Sequence, residues 1–111
     1  MKKYSLFIVS IILMYSDLAY SAEILHQTKI DMVYPFKDGK ILVGIDTENN
    51  SCTNPNEFYR VEVGQAGVTE DAVDRIYAAI LAAAAQQNQV EIIFEPSTDG
   101  QCYISRLKVF Y

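Results

Sequence analysis

The chain contains few residues that could carry out catalysis. His26 is the single histidine of the 111 residues, and Cys52 and Cys102 are the two cysteines. Nucleophilic catalysis needs a hydroxyl or thiol beside a base, and both cysteines are distant in sequence from His26. The period-two pattern around His26 is instead typical of a histidine on a strand surface. We therefore expect no catalytic residue and no enzymatic activity.

Carboxylates are more numerous, and a suitable pair could in principle serve glycoside hydrolysis. Glu70 and Asp71, however, directly follow Thr69, where the start of a helix favours negative charge. Glu91 and Glu95 alternate with apolar residues and therefore suit the outward face of a strand. Neither pair lies in an apolar setting that would raise a pKa, so we expect these carboxylates to be structural.

Residues 46–57 have oxygen-bearing or backbone positions at the spacing of a calcium loop. Ser51 stands where that loop needs a turn glycine, and the flanking segments are predicted strands rather than helices. A polar, asparagine-rich segment between strands is also ordinary loop composition. We expect a loop here, and no metal or other cofactor.

The first residues differ from the rest of the chain. Lys2 and Lys3 precede an apolar run at 6–14, and small residues at positions 19 and 21 suit a signal peptidase. The run is well short of the roughly 20 residues that cross a bilayer. The sequence therefore predicts a signal peptide at 1–21, cleaved after Ser21, a single domain at 22–111, a periplasmic or secreted location and no membrane anchor.

An exported chain meets an oxidising environment, which affects the prediction for its cysteines. Cys52 and Cys102 permit one intramolecular pairing, and a disulfide would stabilise a domain with a small core. A reactive thiol or a metal ligand is the alternative, but both would need partner residues that the sequence does not supply. We expect a structural disulfide.

Charge and aromatic content indicate the kind of partner. Nine basic residues against 14 acidic ones give a formal net charge of −5, which argues against nucleic acid. Tyrosine suits both sugar stacking and protein interfaces, although half-buried sheet positions also select it. Tyr59 and Tyr103 are the predicted ligand-binding residues, because each lies beside the loop that Cys52 would tether.

The hydrophobic pattern predicts three strands, one helix and two strands. The period-two strands are expected at 24–34, 40–46, 58–63, 90–95 and 102–111, and the period-3.6 helix at 70–87. This β-β-β-α-β-β order suits a mainly β protein with one helix, built as a small OB-fold-like barrel. A helix packed on a flat antiparallel sheet, an α+β layer, is the alternative.

The helix and final strands resemble a known family. Residues 74–85, with Val90–Glu–Ile–Ile–Phe94 and Cys102, are similar to small secreted bacterial proteins related to the B subunits of AB5 toxins, of the subtilase cytotoxin kind. The resemblance covers about 40 residues and implies an OB-like fold, a ring of subunits and, in the toxins, binding of cell-surface glycans. It assigns no sugar-contacting residue of this chain.

Two functions are therefore expected from different classes. The first is a secreted or periplasmic, non-enzymatic binding module that recognises a glycan or another protein. The second is a small structural or inhibitory envelope protein that binds one protein partner. Self-association is also expected, because the final strand, 102–111, could present an open edge and Ala78, Ala82 and Ala85 give the helix a slim outer side.

Overall fold

The computed structural model describes residues 23–47, 52 and 58–111, so the predicted signal peptide lies outside the described residues. These residues form β1 (Ile24–Thr28), β2 (Ile30–Pro35), β3 (Ile41–Ile45), β4 (Tyr59–Val61), α1 (Glu70–Gln86), β5 (Val90–Pro96) and β6 (Cys102–Val109). The mainly β class with one helix, predicted from the sequence, is confirmed.

One curled sheet contains all six strands, in the order β1-β5-β6-β4-β3-β2. Neighbouring strands are antiparallel except β4 and β6, which are parallel. That parallel pair does not fit the flat antiparallel layer considered as the alternative. The order corresponds to the OB-like arrangement if β1 and β2 are taken as one bent strand, although the sheet is not closed.

The predicted first strand is divided at Lys29, which was not foreseen. β1 pairs with β5 and β2 pairs with β3, so the chain passes from one end of the sheet to the other at this residue. The backbone carbonyl of Lys29 accepts a hydrogen bond from Asp46 N at 3.1 Å. β1 and β2 follow each other in the chain but lie at opposite ends of the sheet order. The sheet must therefore curl to bring β1 and β2 together at Lys29.

Our expectation that the final strand forms an edge is wrong. β6 pairs with β5 along its length and with β4 at its start, where Cys102 is opposite Tyr59. The two strands at the ends of the order are β1 and β2. The parallel β4–β6 pair, which the hydrophobic pattern could not reveal, places β6 inside the sheet.

The helix covers the core through a narrow face. α1 packs against β2 and β6, and its buried residues are Val73, Ile80 and Ala83. Leu81 is 43% exposed although it directly follows the buried Ile80, whereas Ala83 is 1% exposed. A residue directly after Ile80 is rotated about 100° around the helix axis, while one three positions later returns to the same face. The small Ala83 therefore lets the helix approach the sheet closely.

Both ends of α1 are capped by the chain itself. The Thr69 hydroxyl accepts a hydrogen bond from Ala72 N at 3.2 Å, which confirms the predicted N-cap. At the other end Gln87 adopts the left-handed conformation, with φ of 55°, and Asn88 N donates to the Ala83 carbonyl. These contacts satisfy backbone groups that a helix end leaves unpaired.

Gly44 allows two strands to approach each other at an irregularity in β2. The pairing register shifts between Ile30 and Met32. A Cβ at position 44 would lie 2.7 Å from Asp31 Oδ1 and 2.9 Å from Met32 Cβ. Only a residue without a side chain avoids these clashes, so glycine is needed at this position.

The predicted disulfide is confirmed. Cys52 and Cys102 are bonded across 50 residues of sequence, with their Cα atoms 6.0 Å apart. Cys102 is 1% exposed and belongs to the core, at the start of β6. The bond therefore links the β3–β4 connection to the centre of the sheet.

Candidate functional site

The sheet face that points away from the core holds a row of aligned side chains. Tyr34 of β2 is opposite Leu42 of β3, Leu42 is opposite Arg60 of β4, and Arg60 is opposite Tyr103 of β6. Directly paired residues project from the same side of a sheet. We call these four residues the Arg60 row. Their neighbours in each strand, such as Val43 and Val61, fill the core on the opposite face.

Two turns of the same design bound this face. In the turn at 36–40, Phe36 N donates to the Lys40 carbonyl at 2.8 Å, and in the turn at 97–101 the first residue's N–H donates to the last residue's carbonyl at the same distance. Asp38 and Asp99, at the third position, each accept the N–H of the residue two further on. The following glycines have φ of 95° and 83°, a region that favours glycine. The strand directions place these turns at opposite ends of the face.

The turn at 36–40 holds an aromatic pair. The rings of Tyr34 and Phe36 are 4.5 Å apart between centroids, with an angle of 30° between their planes. Lys40 Nζ lies 4.7 Å from the centre of the Phe36 ring and 3.4 Å from Asp38 Oδ2. Phe36 is thereby held from two directions, while Tyr34 remains 52% exposed. Tyr34 is thus a supported aromatic surface open to solvent.

Arg60 occupies the middle of the row and carries an unsatisfied donor. Its Nε atom is buried and makes no hydrogen bond with any residue that the structure describes. A buried N–H without a partner costs about 1–3 kcal/mol, so such a group in a native protein calls for an explanation. Because this atom has almost no accessible surface, a ligand oxygen could accept from it only after the half-buried Arg60 side chain turned outward.

Asp99 and Tyr103 form the polar end of the row. The Tyr103 hydroxyl donates to Asp99 Oδ2 at 3.1 Å. Burial, this hydrogen bond and the negative charges of Asp99 and Glu62 raise the pKa of Tyr103, against a smaller lowering by Arg60. The pKa of Asp99 is lowered, mainly by the Gln101 N–H, with the Tyr103 hydroxyl and the Arg60 charge among the smaller contributions. Asp99 therefore remains an ionised acceptor.

The two tyrosines predicted to bind ligand lie on opposite faces of the sheet. Tyr59 is 2% exposed and packs in the core, its ring 4.9 Å from that of Phe94 at an angle of 74°. Tyr103 is 6% exposed and belongs to the Arg60 row. The predicted pair is thus not brought together as a stacking surface, and the ligand role of each residue stays a prediction.

A second polar cluster lies where β1, β2 and the end of β3 meet. His26 Nε2 is 2.8 Å from the Thr47 hydroxyl, which donates to the Thr28 hydroxyl at 2.8 Å. Thr28, which is 2% exposed, donates to Asp46 Oδ1 at 3.1 Å. Asp46 Oδ1 also accepts from Lys29 N at 3.2 Å. The cluster fixes the bend at Lys29.

The direction of these hydrogen bonds argues against nucleophilic catalysis at His26. If the Thr47 hydroxyl donates its proton to Thr28, His26 Nε2 is the donor in its contact with Thr47, which requires the tautomer that carries a proton on Nε2. A base that activates a hydroxyl would instead accept that proton. The chain of donors leads to the Asp46 carboxylate, so it favours a structural role for the cluster.

Metal binding finds no support in the part of the chain that the structure describes. There, no three His, Cys, Asp or Glu side chains are grouped as a metal site would require. Of the calcium-like segment 46–57, residues 48–51 and 53–57 lie outside the described residues.

The sequence prediction did not include Tyr34, Phe36 and Arg60. Tyr34 and Phe36 could have been found from a repeated pattern. Two residues followed by Asp-Gly occur at 36–39 and again at 97–100, which indicates two similar turns. Arg60 lies between Tyr59 and Val61, so its outward direction followed from the alternation of the strand. Its alignment with Tyr103 depends on the parallel β4–β6 pair, which no local pattern predicts.

Comparison with protein-family models and with curated protein sequences finds no match to this chain. Across residues 23–47, 52 and 58–111, no helix is long and apolar enough to cross a membrane.

Proposed function

We propose that this chain is a secreted or periplasmic, non-enzymatic binding module that recognises a glycan on the Arg60 row. The observation that carries the proposal is the alignment, on one sheet face, of the exposed Tyr34 ring with an arginine whose buried Nε has no partner. Ligand sites combine an apolar surface with a few placed polar groups. The face between two hairpin turns is also where OB-like barrels bind oligosaccharides.

Each part of the row has a distinct role in this proposal. A pyranose ring has an apolar face of C–H groups, which the Tyr34 ring can cover. Tyr34 and Tyr103 are three strand spacings apart, about 14 Å, so the hydroxyls that accept from Arg60 and donate to Asp99 belong to a further unit of the same oligosaccharide. Phe36 and Lys40 hold Tyr34 in place and need not touch the sugar.

Two further observations support the proposed compartment and class. A disulfide between Cys52 and Cys102 is typical of proteins that function in an oxidising environment. The resemblance of 74–94 to the B subunits of glycan-binding toxins agrees with a sugar-binding role and with export after cleavage at Ser21.

A glycan array probed with the purified, disulfide-bonded chain tests the proposal. The variant Tyr34→Ala should lose about tenfold or more of the affinity for any glycan bound, as expected when a central aromatic anchor is truncated. Tyr111→Ala is the matched control, because Tyr111 is 94% exposed and lies at the end of the chain, beyond β6. Equal affinity of both variants would place the site elsewhere, and an array without binding would refute the proposal.

A protein partner is the second candidate, favoured by a different surface. A cavity of about 280 Å³ lies beside Leu25, Ile93 and Leu107, and is rimmed by the charged residues Glu91 and Arg106. Leu25 is 56% exposed there, although a leucine is more stable when covered.

The simplest form of protein binding to test is self-association through the surface around Leu25. Light scattering at tens of micromolar protein should then give a mass above that of one chain, and Leu25→Asp should restore the monomer mass. Ala82→Glu tests the outer side of α1 in the same assay, since Ala82 is exposed. A monomeric wild-type protein would refute self-association.

A further inference from the structure

From the charges that surround Arg60 we infer that the sugar bound on the Arg60 row is uncharged, and that two of its hydroxyls bridge Arg60 and Asp99. This inference rests on the proposed glycan-binding function and adds the class of sugar. A lone arginine at the centre of a site would by itself suggest a carboxylate or phosphate ligand. The neighbouring residues decide against that interpretation.

Carboxylates outnumber cations at the polar end of the row. Glu95 is directly opposite Tyr103 on β5. Asp99 accepts from the Tyr103 hydroxyl, and the charges of Asp99 and Glu62 both act on Tyr103. Arg60 is directly opposite Tyr103 on β4, so it lies beside the same carboxylates. An acidic sugar would therefore meet repulsion from several carboxylates and attraction from one guanidinium.

Hydrogen-bonding capacity indicates which groups of the sugar form the bridge. Arginine only donates and an ionised carboxylate only accepts. A ligand that contacts both the Arg60 guanidinium and Asp99 must therefore both accept and donate. A carboxylate or sulfate group cannot donate, so the bridging groups are sugar hydroxyls, and the charges around the row decide that the sugar is uncharged. The Tyr34 ring at the other end of the row suits the C–H face of the same class of ligand.

The substitution Asp99→Asn gives opposite results for the two kinds of sugar. For an uncharged sugar, the loss of a charged acceptor should weaken binding about tenfold, because hydrogen bonds to ionised groups are the stronger ones. For an acidic sugar, removal of a negative charge should strengthen binding. Asp74→Asn is the control, since Asp74 is exposed on α1, and α1 packs against the core side of the sheet rather than the face that holds the Arg60 row.

The experiment measures binding of a panel of uncharged, sialylated, sulfated and uronate-containing glycans to wild type, Asp99→Asn and Asp74→Asn. We expect uncharged glycans to bind, with affinity that changes little between low and high salt, and to lose about tenfold only with Asp99→Asn. Binding restricted to acidic glycans, or tighter binding by Asp99→Asn, would overturn this inference and leave the glycan-binding function standing. A panel without any bound glycan would overturn both.

Discussion

Replacing both cysteines by alanine tests how far the fold depends on its covalent link. The bond between Cys52 and Cys102 spans 50 residues of sequence. Closing a loop of that size in the unfolded chain is worth about 4 kcal/mol in the chain-entropy model. For a domain of this size that loss corresponds to a fall in Tm of about 15–30 °C. Alanine is preferred to serine because Cys102 is buried, where a hydroxyl would lack a partner.

Urea unfolding of the oxidised protein, the reduced protein and the double variant gives the free energies of unfolding. The reduced wild type keeps both sulfur atoms. The difference between its free energy of unfolding and that of the double variant therefore measures the packing lost at the buried Cys102 site. We expect the oxidised protein to exceed both by several kcal/mol. A loss below about 1 kcal/mol on reduction would refute the reasoning, since it would mean that the unfolded chain gains little freedom when the bond is cut.

Three further predictions follow from contacts in the core, at the helix end and on the Arg60 row. Phe94→Ala removes a side chain with 0% exposure and should cost about 3–5 kcal/mol in urea unfolding, so a cost under 1 kcal/mol would contradict the core described above. Thr69→Ala should cost about 1 kcal/mol, because Ala72 N loses its acceptor, and Thr69→Ser should recover most of it. The folded protein raises the pKa of Tyr103 and so favours its neutral hydroxyl. The stability that Tyr103 contributes in this way is present below the ordinary tyrosine pKa of about 10 and is lost as the pH rises through the pKa of Tyr103 in the folded protein. Stability measured across the alkaline range should therefore fall less steeply in Tyr103→Phe than in wild type, and identical slopes would argue against this assignment.

Local patterns were sufficient for most of the elements of this fold. The alternation of Ile41 and Val43 and the helix that follows Thr69 depend on residues close in sequence, and the structure places both as expected. The disulfide followed from the number of cysteines and the predicted compartment.

Pairings between distant segments were beyond such patterns. The division of the first strand at Lys29 arises because β1 and β2 pair with different strands, and the alternation is nearly the same on both sides of the bend. The need for Gly44 depends on Asp31 and Met32 across the sheet. The Arg60 row was missed for the same reason, since its members come from four strands and are aligned only in the folded sheet.

The bend at Lys29 also has a consequence for the order of events in folding. Residues 24–28 of β1 pair with residues 90–94 of β5, so the first strand has no partner until nearly the whole chain is available. The adjoining β2, by contrast, can form a hairpin with β3 as soon as residue 45 is present. Contacts so distant in sequence slow folding, because a long loop must close before they form. We therefore expect the β2–β3 hairpin to form early, and hydrogen exchange during refolding to protect the amides of β1 among the last.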